Sequence, residues 1–415
     1  MTVWIYNFVV TVYKWAIHLA AIFNAKANLW VKGRANIFEK MQAQISPHEK
    51  IVWIHCASLG EFEQGRPLIE KIKSTTPHLK ILLTFFSPSG YEIRKNYQQA
   101  DYIFYLPADA QKNAEKLLSI VNPSVAIFVK YEFWYHYLHE LHQRKIPTFL
   151  VAAIFRKDQI FFKSYGSFFK NMLGYFDHIF VQNEFSKTIL LQNGIKSVSN
   201  VGDTRVDRVL QIKKSARAFD VIQHFKGTAD LLIGGSTWPP DENILIQWIH
   251  KQQDPKWKFI FAPHDISAQH LVAIESKLKI SSIRYSQATP TNAPAAHVMI
   301  IDNIGMLSSL YQYGKVAYIG GGFGAGIHNT LEPIAFGLPV VFGKKYKKFE
   351  EANVLVSTQG GFTINNYEDF ERLMKELAHQ NFYAKASQAA TAYLLKNQGA
   401  TAKIFTKIES CLPRI

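Results

Sequence analysis

The chain has 415 residues, 48% hydrophobic and 19% charged, a globular composition at a length that exceeds one ordinary core, so two domains are expected. With 47 basic against 32 acidic residues the formal charge is +15, which points to an anionic partner; the basic residues are spread along the chain instead of gathered in tails, so nucleic acid is not the expected one. Cys56 and Cys411 are the two cysteines, which excludes a disulfide framework and a cysteine-rich metal site and fits a reducing compartment.

The chain opens "MTVWIYNFVVTVYKWAIHLAAIF". Lys14 interrupts the apolar run and no basic stretch precedes it, which argues against a cleaved signal. On a helix, Asn7, Thr11, Lys14 and His18 form one narrow polar stripe, with Trp4, Ile5, Phe8, Val12, Trp15, Leu19 and Phe23 around the rest, as in a helix lying at a membrane interface. Lys26, Lys32, Arg34 and Lys40 follow, and a basic cluster beside an apolar helix suits an anionic membrane surface. Residues 1–40 are therefore expected to be a membrane-anchor helix with a basic flank; the alternative is a helix packed on the protein's own core or on a second subunit.

From residue 50 short β-branched runs alternate with helix-period segments, the pattern of βα units on a parallel sheet. "KIVWIHC", "KILLTFF", "DYIFYLP", "SVAIFVK", "TFLVAAI", "HIFVQN" and "VSNVGD" make one doubly wound domain over 41–208. A polar stretch at 210–230 reads as a linker. "LLIGG", "KFIFAPH", "HVMIID", "VAYIGGG" and "PVVFG" then open a second domain, 209–415. Its last segment, Tyr383 to Leu412, is helical in period and either caps that domain or returns to the first. The fold class is α/β, two Rossmann-like domains, with the active site expected in a cleft between them at the carboxyl ends of strands.

Five strand-end stretches carry candidate chemistry. In "HCASLGEFEQGRP", Ser58 and Gly60 form a turn after a strand, and Glu61 begins a helix. An acidic first turn is ordinary helix chemistry; the alternative is that Glu61 takes a proton from an incoming hydroxyl while the loop N–H groups receive substrate. In "VKYEFWYH", Lys130 and Glu132 follow another strand with Trp134 nearby, either facing the cleft or forming an exposed pair. "GDTRVD" sets Arg205 at the domain junction, as a phosphate ligand or a linker salt bridge. In the second domain "GGSTWPPDE" with Ser236 and Thr237, "APHD" with Pro263 and His264, and "DNIGML" with Ile304, Gly305 and Met306 end strands; each is equally a capped helix start. "IGGGFGAGIHNTLEP" reads as a phosphate-approach loop running into a helix start at Asn329, Thr330, Leu331 and Glu332, with Leu331 and Ile334 filling core. No H-E-x-x-H, paired-Cys or D-x-D pattern stands out among these loops, so no metal or other cofactor is expected.

In their order and spacing, "ASLGE", "KYEFW", "GDTRVD", "STW...DE", "APH", "DNIGML" and "GGGFGAGIHNTLEP" resemble the 3-deoxy-D-manno-octulosonic acid (Kdo) transferases. The resemblance implies a GT-B glycosyltransferase architecture at the cytoplasmic face of the inner membrane, and transfer of Kdo from CMP-Kdo to a lipid A precursor. It implies Glu61 as general base, with Glu132 and Arg205 assisting at the transition state. For CMP-Kdo it implies contacts at Pro263, His264, the Ile304-Gly305-Met306 turn and Asn329 to Glu332. The family commonly has Arg where this chain has His264, Lys for Arg205, Pro for Thr330, and a "THEGE"-like loop for "TWPPDE". Another GT-B enzyme, such as a UDP-sugar transferase or a 2-epimerase, would share the second-domain loop, and a non-catalytic membrane-bound nucleotide sensor would share the anchor.

Overall fold

A computed structural model describes residues 2–252, 254 and 256–413; Met1 and residues 414–415, at the ends of the expected first and last segments, lie outside it. The chain divides into two units, residues 1–207 with 397–415, and residues 208–396.

In the first unit the seven apolar runs are seven strands: β1 (Ile51–Cys56), β2 (Lys80–Phe85), β3 (Tyr102–Tyr105), β4 (Val125–Val129), β5 (Thr148–Ala153), β6 (His178–Val181) and β7 (Val198–Asn200). They pair in parallel in the order β3-β2-β1-β4-β5-β6-β7. Such strands are apolar without alternation because both faces are covered. Ile51 and Trp53 pack with Leu82 and Phe128 on one face, while Val52, Ile54 and Cys56 pack with Ile127 and Val129 on the other. The chain winds outward from β1 to β3 and then crosses to β4 on the opposite side of β1, so the loops after β1 and β4 leave the sheet as neighbours. That topological switch is where open α/β sheets gather functional loops.

The helix Leu59–Thr75 buries Phe62, Leu68, Ile69 and Ile72 on the second face. A Cβ on its Gly65 would lie 3.0 Å from Val129 Cγ2, so glycine is what lets helix and strand approach this closely. The C-terminal helix Ala400–Ile408 buries Ala400, Ile404, Phe405 and Ile408 on the same face. Asp207 anchors it, accepting the N–H groups of Gly399 (2.6 Å) and Thr401 (2.7 Å) at its start.

The second unit holds β8 (Asp230–Thr237), β9 (Trp257–Pro263), β10 (Ser282–Arg284), β11 (Val298–Ile300), β12 (Val316–Ile319), β13 (Val340–Gly343) and β14 (Gly361–Ile364), in the order β10-β11-β9-β8-β12-β13-β14. β10 and β14, absent from the sequence reading, are the two edge strands; with three and four residues they carry too little apolar pattern to stand out. The polar stretch read as a linker is largely helical, lying in Thr204–Lys214 and Asp220–Lys226. The second of these buries only Ile222 and Phe225, so two turns of amphipathic helix read as polar sequence.

Ahead of β1 come the helices Val3–Ala20, Ala25–Arg34 and Ile37–Gln44. The first docks through buried Tyr6, whose hydroxyl donates to the Asp109 carboxylate, and through Asn7 Oδ1, 2.6 Å from His136 Nε2. Asp109 also accepts the N–H groups of His136 (3.2 Å) and Tyr137 (3.3 Å), so one buried carboxylate joins the N-terminal helix to the first turn of Tyr135–Gln143. Trp4, Phe8, Trp15, Leu19, Ile22 and Phe23 are exposed. No single described helix is long and apolar enough to cross a membrane; Val3–Ala20 and Ala25–Arg34 together are, by length and composition, but turn by 118° between them.

Candidate functional site

In the first unit the strand order itself brings Glu61 and Glu132 to the switch point. β1 ends at Cys56, and Ser58 caps the next helix, its Oγ accepting the Gly60 N–H at 3.3 Å and donating to the Glu61 carboxylate. Glu61 thus occupies the first turn, where the N-terminal partial positive charge of a 17-residue helix favours a carboxylate. β4 ends at Val129, and Lys130 follows in the left-handed region at φ 72°, a conformation that costs a non-glycine residue free energy. The resulting reversal carries Glu132 back over β1, where it is buried. Its Oε2 accepts from Trp134 Nε1 at 2.6 Å and lies 2.9 Å from His55 Nε2. His55, the penultimate residue of β1, lies 2.8 Å through Nδ1 from the Thr84 hydroxyl on β2, its in-register neighbour, which also accepts from Trp53 Nε1 at 2.8 Å.

Burial pushes the Cys56 thiol up, and the carboxylates of Glu61, Glu132 and Glu63 push it further. That thiol is therefore inert, and its surroundings mark how closely acidic groups collect at this edge. Arg205 is the second residue of the helix Thr204–Lys214, and the Thr204 hydroxyl donates to the Gln64 carbonyl at 2.6 Å, setting this turn against the helix that carries Glu61. The Arg205 guanidinium is clamped by Asp203, with Nη2 2.6 Å and Nε 3.0 Å from Oδ2.

In the second unit the switch falls between β8 and β12. Gly235, Ser236, Gly305, Asn329 and Glu332 line a pocket of about 300 Å³ there, together with Leu307, Ser308, Tyr311, Ile319 and His328. Ser236 stands at φ 52°, so this loop, like the one at Lys130, holds a left-handed non-glycine residue. Asn329 accepts the Leu331 N–H at 2.9 Å and donates to Glu332 at 3.0 Å. Thr237, Thr330 and Leu331 are fully buried, Pro263 and Met306 nearly so, and Ile304 is exposed, so these six do not form one side-chain surface. The Thr330 hydroxyl is buried without a hydrogen-bond partner.

At two positions the glycine run is required by packing. A Cβ on Gly320 would fall 2.1 Å from the Ser236 carbonyl oxygen, and one on Gly322 would fall 2.5 Å from the Gly343 nitrogen. The intervening Gly321 N–H is taken by Asp241 at 2.9 Å. Asp241 and Glu242 of the "TWPPDE" loop are likewise structural: buried, with Tyr318 donating to Asp241 at 2.9 Å and Thr237 to Glu242 at 3.1 Å. The His264 ring stacks with both Trp238 and His328: its centroid is 4.6 Å from that of Trp238 and 4.7 Å from that of His328. Trp238 Nε1 donates to His328 Nε2 at 3.2 Å.

Sequence reasoning assigned no role to His55, Thr84, Trp53 or His328. A histidine and a threonine inside wholly apolar buried strands were a signal; that they adjoin is a matter of register, which one sequence does not show.

Two all-parallel α/β units with these strand orders define the GT-B class, the architecture of many nucleotide-sugar enzymes. A UDP-GlcNAc 2-epimerase from Neisseria meningitidis, solved with UDP-GlcNAc bound, shares it at a TM-score of 0.61 over 87% of this chain and 100% of that one, at 14% identity, a likeness of fold alone. Within that class the chain is similar to the Kdo transferases: residues 32–208 match the family model described as 3-deoxy-D-manno-octulosonic-acid transferase (kdotransferase). The 3-deoxy-D-manno-octulosonic acid transferase of Haemophilus influenzae is 24% identical over 381 residues, 89% of this chain and 88% of that protein. A bifunctional glycosyltransferase/methyltransferase of Fusobacterium nucleatum is 25% identical over 80% of this chain, which spans about half (53%) of that protein.

Proposed function

We propose that the protein is an inverting glycosyltransferase that moves Kdo from CMP-Kdo to a lipid A precursor, lipid IVA, in lipopolysaccharide core biosynthesis. The observation that carries this reading is the Ser58-capped Glu61 at the switch point of a unit whose residues 32–208 match the Kdo transferase family. Glu61 takes the proton of an acceptor hydroxyl, the hydroxyl oxygen bonds to the anomeric carbon of Kdo, and the bond from that carbon to the phosphate oxygen breaks, its electron pair leaving with CMP. One displacement inverts the anomeric centre. Glu132 and Arg205 assist from the same unit, Arg205 exchanging its Asp203 partner for developing negative charge. Ser236, Asn329 and Glu332, at the second unit's pocket, receive the donor. The exposed apolar side of Val3–Ala20 and the basic flank behind it attach the enzyme to the anionic cytoplasmic surface of the inner membrane, where the acceptor resides.

Purified protein incubated with CMP-Kdo and lipid IVA is expected to release CMP and form a Kdo-bearing lipid detectable by mass spectrometry. Glu61→Gln is expected to lower transfer by roughly 10²- to 10⁴-fold while leaving CMP-Kdo affinity within about twofold. Near-normal transfer by that variant would remove Glu61 as the base.

A further inference from the structure

We propose that His55 is a positioning residue for Glu132, the last link of a buried hydrogen-bond chain that fixes the orientation of that carboxylate. The inference rests on the transferase reading above and adds to it a group the family resemblance did not supply.

The direction of each bond follows from chemistry. An indole nitrogen only donates, so the Trp53 Nε1–H goes to Thr84 Oγ1. An ionised carboxylate only accepts, so the 2.9 Å contact between His55 Nε2 and Glu132 Oε2 is an Nε2–H donating to Glu132. Between them, at 2.8 Å, either the Thr84 hydroxyl donates to Nδ1 of a neutral imidazole or Nδ1–H of an imidazolium donates to Thr84. Both cases leave Nε2–H pointing at Glu132.

The chain links two neighbouring strands to the turn after a third: Thr84 on β2, Trp53 and His55 on β1, and Glu132 on the turn that follows β4. Trp53, His55 and Thr84 are wholly buried and Glu132 is 7% exposed, so none of these bonds competes with bulk water. Trp134 Nε1 donates to the same Oε2 at 2.6 Å. Two N–H donors on one oxygen set the rotation of the carboxylate plane and direct what accepting capacity remains to the other oxygen. Burying so many polar groups is weak support for stability, because their desolvation offsets most of the gain. Holding one carboxylate still is what the arrangement does accomplish.

The test is a double-mutant cycle on Kdo transfer with CMP-Kdo and lipid IVA. His55→Leu keeps volume without a donor, and His55→Gln keeps an N–H near the position of Nε2. His55→Leu is expected to lower kcat by about 10- to 100-fold, the loss of one hydrogen bond to a charged group, with the KM for CMP-Kdo nearly unchanged. His55→Gln is expected to recover most of that loss. In a Glu132→Gln background, His55→Leu is expected to change kcat less than twofold. Thr84→Val, which spares His55 itself, supplies the same cycle if the leucine variant does not fold. Multiplying effects in the double variant, or a glutamine variant as impaired as the leucine one, would overturn the positioning role alone. A wild-type protein that transfers no Kdo would overturn the functional reading on which it rests.

Discussion

Two nitrogens separated by 3.2 Å give the second unit a pH-sensitive contact. The Trp238 indole can only donate, so His328 Nε2 must be unprotonated to accept it. Burial lowers the His328 pKa from 6.5, and the neighbouring His264 lowers it further. A depressed histidine contributes stability that is whole above 6.5 and is lost as pH falls from there toward the folded-state value, because the unfolded chain takes the proton first. A glutamine at 328 accepts from the indole at every pH. The unfolding midpoint of wild type relative to His328→Gln should therefore be flat above 6.5 and decline below it, measured by thermal denaturation across the acid range. A difference that rises on acidification would show that His328 is protonated in the fold.

A helix with an exposed apolar side needs something to hold it, and Asp109 is one such contact for Val3–Ala20. Its carboxylate gathers the Tyr6 hydroxyl and two N–H groups from the start of Tyr135–Gln143. Burial raises its pKa from 3.8 to about 6, although these donors pull the other way. With the folded value raised, the contribution is fully present below 3.8 and is lost as pH rises through about 6. Asp109→Asn removes this titration, so wild type should lose stability relative to the Asn variant over that interval, read from urea midpoints. Asp109→Ala leaves the Tyr6 O–H and two N–H groups without their acceptor, at a cost of about 1–3 kcal/mol for each group left unsatisfied. Limited proteolysis within residues 2–24 should quicken in that variant at neutral pH, and unchanged cleavage would mean the helix is held by other contacts.

Charge and apolar surface act at the scale of the whole molecule. A formal +15, with Trp4 and Trp15 exposed on Val3–Ala20 and Phe23 exposed just after it, supplies the two forces that the proposed attachment to an anionic bilayer uses. Burying each such side chain is worth about 1.5–3 kcal/mol, so replacing all three with serine should weaken binding to vesicles containing phosphatidylglycerol by more than about tenfold. Cosedimentation measures it, and raising the salt should weaken wild type further as the electrostatic share is screened. Binding unchanged by the triple replacement would assign the exposed face another purpose.

The fold class could be read from the chain because strands covered on both faces must be apolar throughout, and helices between them must show a longer period; "KIVWIHC" and "KILLTFF" are strands for that reason. The likeness to Kdo transferases was legible as well, since it lies in the order of short motifs. Elements with little buried surface escaped: β10 and β14 at the sheet edges, and the helix Asp220–Lys226 with two buried residues. The surroundings of Glu132 escaped for a different reason. His55, Thr84 and Glu132 come from three separate βα units, and their meeting depends on β1 lying between β2 and β4 and on His55 standing level with Thr84. The glycines after β12 read as a ligand loop, and the backbone that two of them must clear, at Ser236 and Gly343, was not legible because it lies elsewhere in the chain. Local pattern determined which segments became strands and helices and which families they resemble. Which side chains share a hydrogen bond was decided by strand order and register, which are nonlocal and exist only once the sheet has formed.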